Sequence, residues 1–197
     1  MTNNRSKAFL CEKCPSLLKS RSQIVEGYGD PSAQLLFVGM APGRNGADIT
    51  GVPFTRDPSG LLFQECLIKA GFSLESDPTN ENPQLKNVYV TNLVKCNPKE
   101  IDGRNRIPYQ AEIANCATFF EQELIDINPR IVVLFGKVVT EHVLKKKIYK
   151  YLNYHNKPCL TGNRILLPFI HPSYVIRGAY NRQKYINEMV GLRRFLD

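Results

Sequence analysis

Gln34-Leu35-Leu36-Phe37-Val38, stopped by Gly39, and Ile131-Val132-Val133-Leu134-Phe135, stopped by Gly136, are the stretches that decide the fold. Each is a short run of apolar residues without polar alternation, the pattern of a strand covered on both faces. Two further runs have the same character, Asn87 to Val94 (NVYVTNLV) and Ile165 to Ile170 (ILLPFI). Between these runs the apolar spacing becomes helical. Helices are predicted over Ser59 to Ala70, over Tyr109 to Asp126 with Ile113, Ala117, Phe120 and Leu124 on one stripe, over Lys137 to Leu144, and over Gln183 to Leu196 with Tyr185, Met189 and Leu192. Strands that alternate with helices imply right-handed crossovers and an α/β fold, a three-layer α/β/α domain around a central four-stranded parallel sheet. Working residues in such folds gather at the carboxyl ends of the strands. That rule points to Gly39 onward, Asn92 to Cys96, Gly136, and His171 onward.

Composition sets the outer limits. With 197 residues, 43% hydrophobic and 22% charged, the chain reads as one domain, 1–197, able to bury a core by itself. Met1 to Leu10 is polar and basic, unlike a secretory signal, and runs such as Ile131 to Phe135 are too short to cross a bilayer. The expectation is an intracellular, cytoplasmic monomer with no membrane contact. Lys and Arg number 26 against 18 Asp and Glu, a formal charge of +8. Much of the excess falls late, at Lys145, Lys146, Lys147, Lys150, Arg177, Arg182, Lys184, Arg193 and Arg194. A polyanion is a natural partner for such a chain.

The strand ends carry unusual chemistry. After the first comes Gly39-Met40-Ala41-Pro42-Gly43, then Asn45-Gly46, then Thr50-Gly51-Val-Pro-Phe54-Thr-Arg-Asp57-Pro-Ser-Gly60. Glycines let main-chain amides approach a ligand, Phe54 offers a flat apolar face, and Asp57 a carboxylate. After the second strand, Thr91-Asn92-Leu-Val-Lys95-Cys96-Asn-Pro98 sets out an amide that can donate and accept at the edge of a pyrimidine. After the fourth comes His171-Pro172-Ser173, in a chain with only three histidines. Of the six cysteines, the close pair Cys11 and Cys14 has the spacing of two ligands of a metal or an iron–sulfur cluster.

Taken in this order, the glycine-proline loop with its Phe, the Thr-Asn strand end leading into Lys-Cys-Asn-Pro, and the His-Pro-Ser loop resemble the uracil-DNA glycosylase superfamily, in its iron–sulfur branches known as family four and family five. The match runs from Cys11 to about Arg182. The resemblance implies an enzyme that excises uracil, or another deaminated base such as hypoxanthine, from DNA by flipping it and hydrolysing its N-glycosidic bond. It implies that Phe54 stacks on the base, Asn92 reads its Watson–Crick edge, and His171 donates to the uracil O2 as negative charge develops. Gly39, Met40 and Ala41 would line the same pocket. It further implies a [4Fe–4S] cluster on Cys11, Cys14, Cys96 and Cys116, leaving Cys66 and Cys159 as buried apolar residues. Met40 stands where family four carries an acid, so the catalytic carboxylate passes to Asp57, in a Phe54-Thr-Arg-Asp57 segment similar to the family-five Phe-Thr-Gly-Asp. Ser173, Tyr174, Val175 and Arg177, closest to the family-four third motif, are the expected DNA contacts. The alternative is a non-catalytic nucleic-acid-binding module built on an iron–sulfur or zinc site. A further alternative is a small-molecule hydrolase on the same kind of sheet.

Overall fold

The computed structural model describes residues 11–196; Met1 to Leu10, with the reading of that stretch as no secretory signal, lies outside them. The strands are β1 (Tyr28–Gly29), β2 (Leu35–Gly39), β3 (Val88–Asn92), β4 (Ile131–Phe135), β5 (Cys159–Thr161) and β6 (Arg164–Phe169). They form one sheet in the order β1-β3-β2-β4-β6-β5. Its middle is the expected four-stranded parallel sheet, with β3, β2, β4 and β6 parallel to their neighbours. Both edges differ from the expectation, because β1 and β5 pair antiparallel onto β3 and β6 and make the sheet six-stranded and mixed. Strands of two and three residues, half exposed, carry too few apolar residues to be recognised by pattern.

Because β2, β3 and β4 are buried throughout, and β6 from Leu166 onward, alternate residues serve opposite faces. Leu35, Phe37, Val88, Val90, Ile131, Val133, Leu167 and Phe169 join one core cluster with Phe63 and Leu67 of α3 (Pro58–Lys69), Val175 of α6 (Pro172–Ile176) and Tyr185 and Met189 of α7 (Arg182–Val190). Leu36, Val38, Tyr89, Val132, Leu134 and Leu166 join the other, with Phe120 of α4 (Gln110–Ile127) and Val139 of α5 (Lys137–Leu144). Two helical layers on one sheet give the three-layer fold. Each fully buried Leu or Phe contributes about 1.5–3 kcal/mol to it. The remaining helices are short, α1 (Pro15–Ser20) and α2 (Ala47–Thr50).

Two predicted elements end early, each for a local reason. Beyond Asn92 the chain leaves β3 and bonds Leu93 and Val94 amides to the Gly39 and Met40 carbonyls, 2.9 and 3.0 Å, so the second strand turns over the first loop. The last helix stops at Val190, and Gly191–Phe195 continues as a 3₁₀ turn. Cys66 is fully buried, as expected, but Cys159 is only partly buried because it sits on the edge strand β5. No helix among the described residues is long and apolar enough to cross a membrane.

Candidate active site and thiol cluster

Parallel order brings the carboxyl ends of β2, β3, β4 and β6 to one edge of the sheet. A cavity of about 460 Å³ opens there, lined by Gly39's successors Met40 and Ala41 and by Phe54, Asp57, Asn92, Asn105, His171, Ser173 and Arg177. Asp57, Asn92 and His171, far apart in the sequence, therefore face one space.

The loop after β2 is bent hard to build one wall. Phe54 and Arg56 hold left-handed backbone at φ 54° and 68°, a conformation that costs a non-glycine residue about 1–3 kcal/mol. The loop is riveted in that shape. Thr55 is buried and its hydroxyl donates to the Val52 carbonyl at 2.8 Å, while Gln64 Nε2 donates to the Phe54 carbonyl at 3.0 Å. Gly60 is required beneath it, since a Cβ there would lie 2.8 Å from the Phe54 and Thr55 backbone. The result is a Phe54 ring propped against Phe63 and Phe135, centroids 4.9 and 5.4 Å away, and 5.6 Å from the His171 ring. Gly39 is bare for a similar reason: a Cβ there would meet Asn92 Oδ1 at 2.3 Å and the Phe54 ring at 2.8 Å.

Asn92 is 1% exposed, and its Nδ2 is buried with no hydrogen-bond partner. An unpaired amide donor in a protein interior costs about 1–3 kcal/mol, and Asn92 lines the cavity, where a group from outside the chain could meet it. The segment behind it is fixed. Lys95 Nζ donates to the Asn92 carbonyl at 2.9 Å and pairs with Glu123 at 2.6 Å, and Glu123 also accepts from the Thr91 hydroxyl at 2.8 Å.

His171 caps α6. Its Nδ1 accepts from the Ser173 amide at 3.1 Å and lies 2.9 Å from the Ser173 hydroxyl, so the neutral ring carries its proton on Nε2. Burial, helped by the Arg177 charge, pulls the His171 pKa down to about 4, and at neutral pH the ring is an uncharged donor. Its stem is anchored one residue earlier, where the Ile170 amide donates to His155 Nδ1 at 3.1 Å and His155 Nε2 pairs with Glu188 at 2.9 Å.

Asp57 has two oxygens with different duties. Oδ1 accepts from the Gly60 amide at 2.8 Å as the cap of α3. Oδ2 faces the loop, 2.9 and 2.7 Å from where Cβ atoms on Gly43 and Gly46 would stand. Burial raises the Asp57 pKa, against the lowering effect of the Gly60 and Ser59 amides. Asn105 is a pocket residue that the sequence reading missed. Its Oδ1 accepts from the Arg44 amide and from Asn97 Nδ2, at 3.0 and 2.9 Å, and its Nδ2 lies 3.8 Å from the Gly43 Cβ position, on the same side as Asp57 Oδ2. It lies between Gly103 and Pro108 in a loop with no apolar period, where the only signal is an amide in a turn-rich stretch.

The four expected DNA contacts are placed differently from one another. Ser173 is spent on His171 and on Arg177 Nη1, 3.3 Å from its hydroxyl. Tyr174 is half-buried, Arg177 is exposed, and Val175 is buried in the core, leaving Ile176 as the exposed aliphatic side chain of α6.

Cys11, Cys14, Cys96 and Cys116 come together from three segments, packed with Leu17, Ile24, Val94 and Ile113. Arg21 Nη1 donates to Cys96 Sγ at 3.3 Å, Asn115 Nδ2 to Cys14 Sγ at 3.4 Å, and the Lys95 amide to Cys116 Sγ at 3.4 Å. These donors pull toward the thiolate, but burial outweighs them, raising the Cys96 thiol and pushing Cys116 up to about 11; four cysteines that give up their protons to a bound group suit an iron–sulfur cluster or tetrahedral zinc. Among the described residues no three His, Cys, Asp or Glu side chains converge so as to hold a single metal ion. A buried pair, Arg106 with Glu112 at 2.6 Å, and the Ser16 hydroxyl on Glu112 at 2.6 Å tie the helices that carry Cys14 and Cys116 to each other.

Comparison with known proteins places this geometry. The model of the Uracil DNA glycosylase superfamily matches residues 26–191. The chain is 30% identical to a Type-4 uracil-DNA glycosylase of Thermotoga maritima, over 89% of this chain and 83% of that one. It is 29% identical to a Type-5 uracil-DNA glycosylase of Thermus thermophilus, over 93% of each. It is 34% identical to a Type-4 uracil-DNA glycosylase of Sulfurisphaera tokodaii over 72% of this chain, spanning 57% of that longer relative. A match that runs from before β1 to the end of α7, and so includes every strand end that lines the cavity, means that the chain belongs to the uracil DNA glycosylase superfamily.

Proposed function

We propose that this protein is a DNA repair glycosylase that takes uracil, flipped out of DNA, into the cavity at the strand ends and hydrolyses its N-glycosidic bond. Hypoxanthine and other deaminated bases are further substrates on this reading. The observation that carries it is the unpartnered Asn92 Nδ2, a buried donor beside an aromatic platform and a neutral histidine donor. Flipped bases are read by stacking and by hydrogen bonds to their edge. Phe54 supplies the stack and Asn92 the edge contact.

Cleavage leaves negative charge on the departing base and positive charge on the sugar. His171 Nε2–H donates to the base O2, and it does so best as a neutral imidazole already oriented by Ser173, because a preorganised donor stabilises the charge as it develops. Asp57 Oδ2, free of the helix cap, orients the attacking water or stands beside the cationic sugar, with the Asn105 amide on the same side. Met40 contributes an apolar wall and its backbone. Arg177 meets phosphate, and Ile176 is the exposed side chain of α6 that can enter the space left in the stack, a role that Tyr174, packed against the core, and the buried Val175 would take only if α6 moved.

A [4Fe–4S] cluster is proposed on Cys11, Cys14, Cys96 and Cys116. Four thiols of which three receive N–H donors would hold it. When bound, the cluster supplies rigidity to the segment that ends in Asn92. The chain on this reading is a single domain and a monomer that works in the cytoplasm with the chromosome.

Product analysis with duplexes that each carry one uracil, hypoxanthine, xanthine or mismatched thymine tests the reading. The expected result is free uracil and an abasic strand. DNA binding with no base released from any duplex contradicts it and leaves a non-catalytic binding module.

A further inference from the structure

A second cavity, of about 550 Å³, adjoins the base pocket and shares Lys137, His171 and Arg177 with it. Its walls are of two kinds. Tyr151, Leu152 and Tyr174 give it apolar faces, and the Tyr151 hydroxyl is already spent on the Phe169 carbonyl at 2.6 Å, so its ring is what remains for a ligand. Leu152 is 56% exposed at the rim, a large aliphatic side chain left open to water beside charge. Lys137, Lys150 and Arg177 supply the charge, and among the described residues no carboxylate lines the cavity. The Glu141 carboxylate reaches Lys137 only at 3.7 Å across a half-exposed helix face, which leaves that cation available.

Apolar and aromatic walls beside three cations match a group that is aromatic at one end and anionic at the other. We propose that this cavity is a second nucleotide subsite, which takes the base and phosphate of the nucleotide next to the flipped one. The inference rests on the glycosylase reading above, because the shared His171 wall makes the two cavities neighbours along one strand. Stacking platforms combined with cations hold single-stranded nucleic acid without reading its sequence. The subsite therefore strengthens binding where the neighbouring base is unstacked, as in single strands or frayed duplex.

The test measures dissociation constants by fluorescence anisotropy. The probe is a short single-stranded oligonucleotide carrying 2′-fluoro-deoxyuridine, whose glycosidic bond resists cleavage. In two further probes a tetrahydrofuran abasic residue replaces the nucleotide on the 5′ or the 3′ side, removing the base and keeping the phosphate. Wild-type protein is expected to lose about tenfold in affinity for one of these probes, the size of one base stack, and less than about threefold for the other. In the Lys150→Ala/Leu152→Ala protein that asymmetry disappears, while uracil release from an ordinary deoxyuridine trinucleotide lacking that flank stays at the wild-type rate. Equal losses on both sides, no loss on either, or an asymmetry that survives the double substitution would each overturn the subsite. Failure of the glycosylase reading shows separately, as no free uracil from the deoxyuridine substrates.

Discussion

The base pocket and the thiol cluster stand at the two ends of one segment, Asn92 to Cys96, and they treat polar atoms in opposite ways. At the thiol end, Cys14, Cys96 and Cys116 each receive an N–H donor from Asn115, Arg21 or Lys95. At the pocket end, Asn92 Nδ2 has no partner, and Phe54 and Arg56 hold strained backbone. Lys95 lies between, its Nζ fixing the Asn92 carbonyl and its amide meeting Cys116. The contrast separates two uses of buried polarity. On the proposed reading, satisfied groups hold a shape, and the group left unsatisfied against the cavity is kept for a ligand.

The largest effect is expected at Asp57, where a pocket carboxylate doubles as a helix cap. Asp57→Asn is predicted to slow single-turnover cleavage by about 10²–10⁴. Its stability should move the other way. Burial raises the Asp57 pKa, so folding binds a proton more tightly and loses stability as pH rises above the unfolded-state value. Asparagine removes that cost and caps a helix as well as aspartate does, so the melting temperature at neutral pH should hold or rise. In wild type the acid limb of the rate should lie above the ordinary aspartate range and disappear in Asp57→Asn. A melting temperature that falls with the rate would mark Asp57 as a structural cap only.

Next in size is His171→Ala, expected to lower single-turnover cleavage by about 10²–10³ while DNA affinity is nearly unchanged, since the bond strengthens in the transition state. With its pKa pulled down to about 4, His171 should place no limb on the rate between neutrality and mild acid. A limb near an ordinary histidine value that vanishes in His171→Ala would show that the charged ring is the working form.

At the thiol end, protein purified anaerobically should be brown and carry about four irons and four sulfides per chain. Cys96→Ser should lose them, and melting temperature and cleavage should fall together, because the same segment carries Asn92. Cys66→Ala should keep the iron, since Cys66 belongs to the α3 face of the sheet. Stoichiometric zinc in place of iron would contradict the cluster. The smallest effect is expected at Arg177→Ala, which should reduce the salt dependence of DNA binding by up to about one unit of slope if it meets one phosphate. An unchanged slope removes Arg177 from the interface.

Legibility followed the same division. The parallel core was readable because Leu35 to Val38 and Ile131 to Phe135 are apolar on both faces, whereas the edge strands β1 and β5 offer one partner and few apolar residues. The strand-end rule pointed to the loops that carry Asp57, Asn92 and His171, and the three side chains line one cavity, while the roles proposed for them come from the family resemblance. Asn105 was not readable, because what brings it to the pocket is the fold of a loop held by Asn97 and Arg44, not any period in the chain. Val175 shows the converse limit. A short motif marks Ser173, Tyr174, Val175 and Arg177 as DNA contacts, but the helical turn of α6 decides which side chain faces inward, and Val175 packs on the core while Ile176 faces out.

The account stands or falls on what the unpartnered amide of Asn92 is for. The direct measurement is the ratio of single-turnover rates on uracil and hypoxanthine in otherwise identical duplexes, for wild type and for Asn92→Asp. Replacing a donor with a charged acceptor at the edge of the base should lower the ratio by at least about tenfold, the value of one hydrogen bond to a buried group. An Asn92→Asp protein that cleaves uracil at the wild-type rate with an unchanged ratio would mean that Asn92 does not read the base.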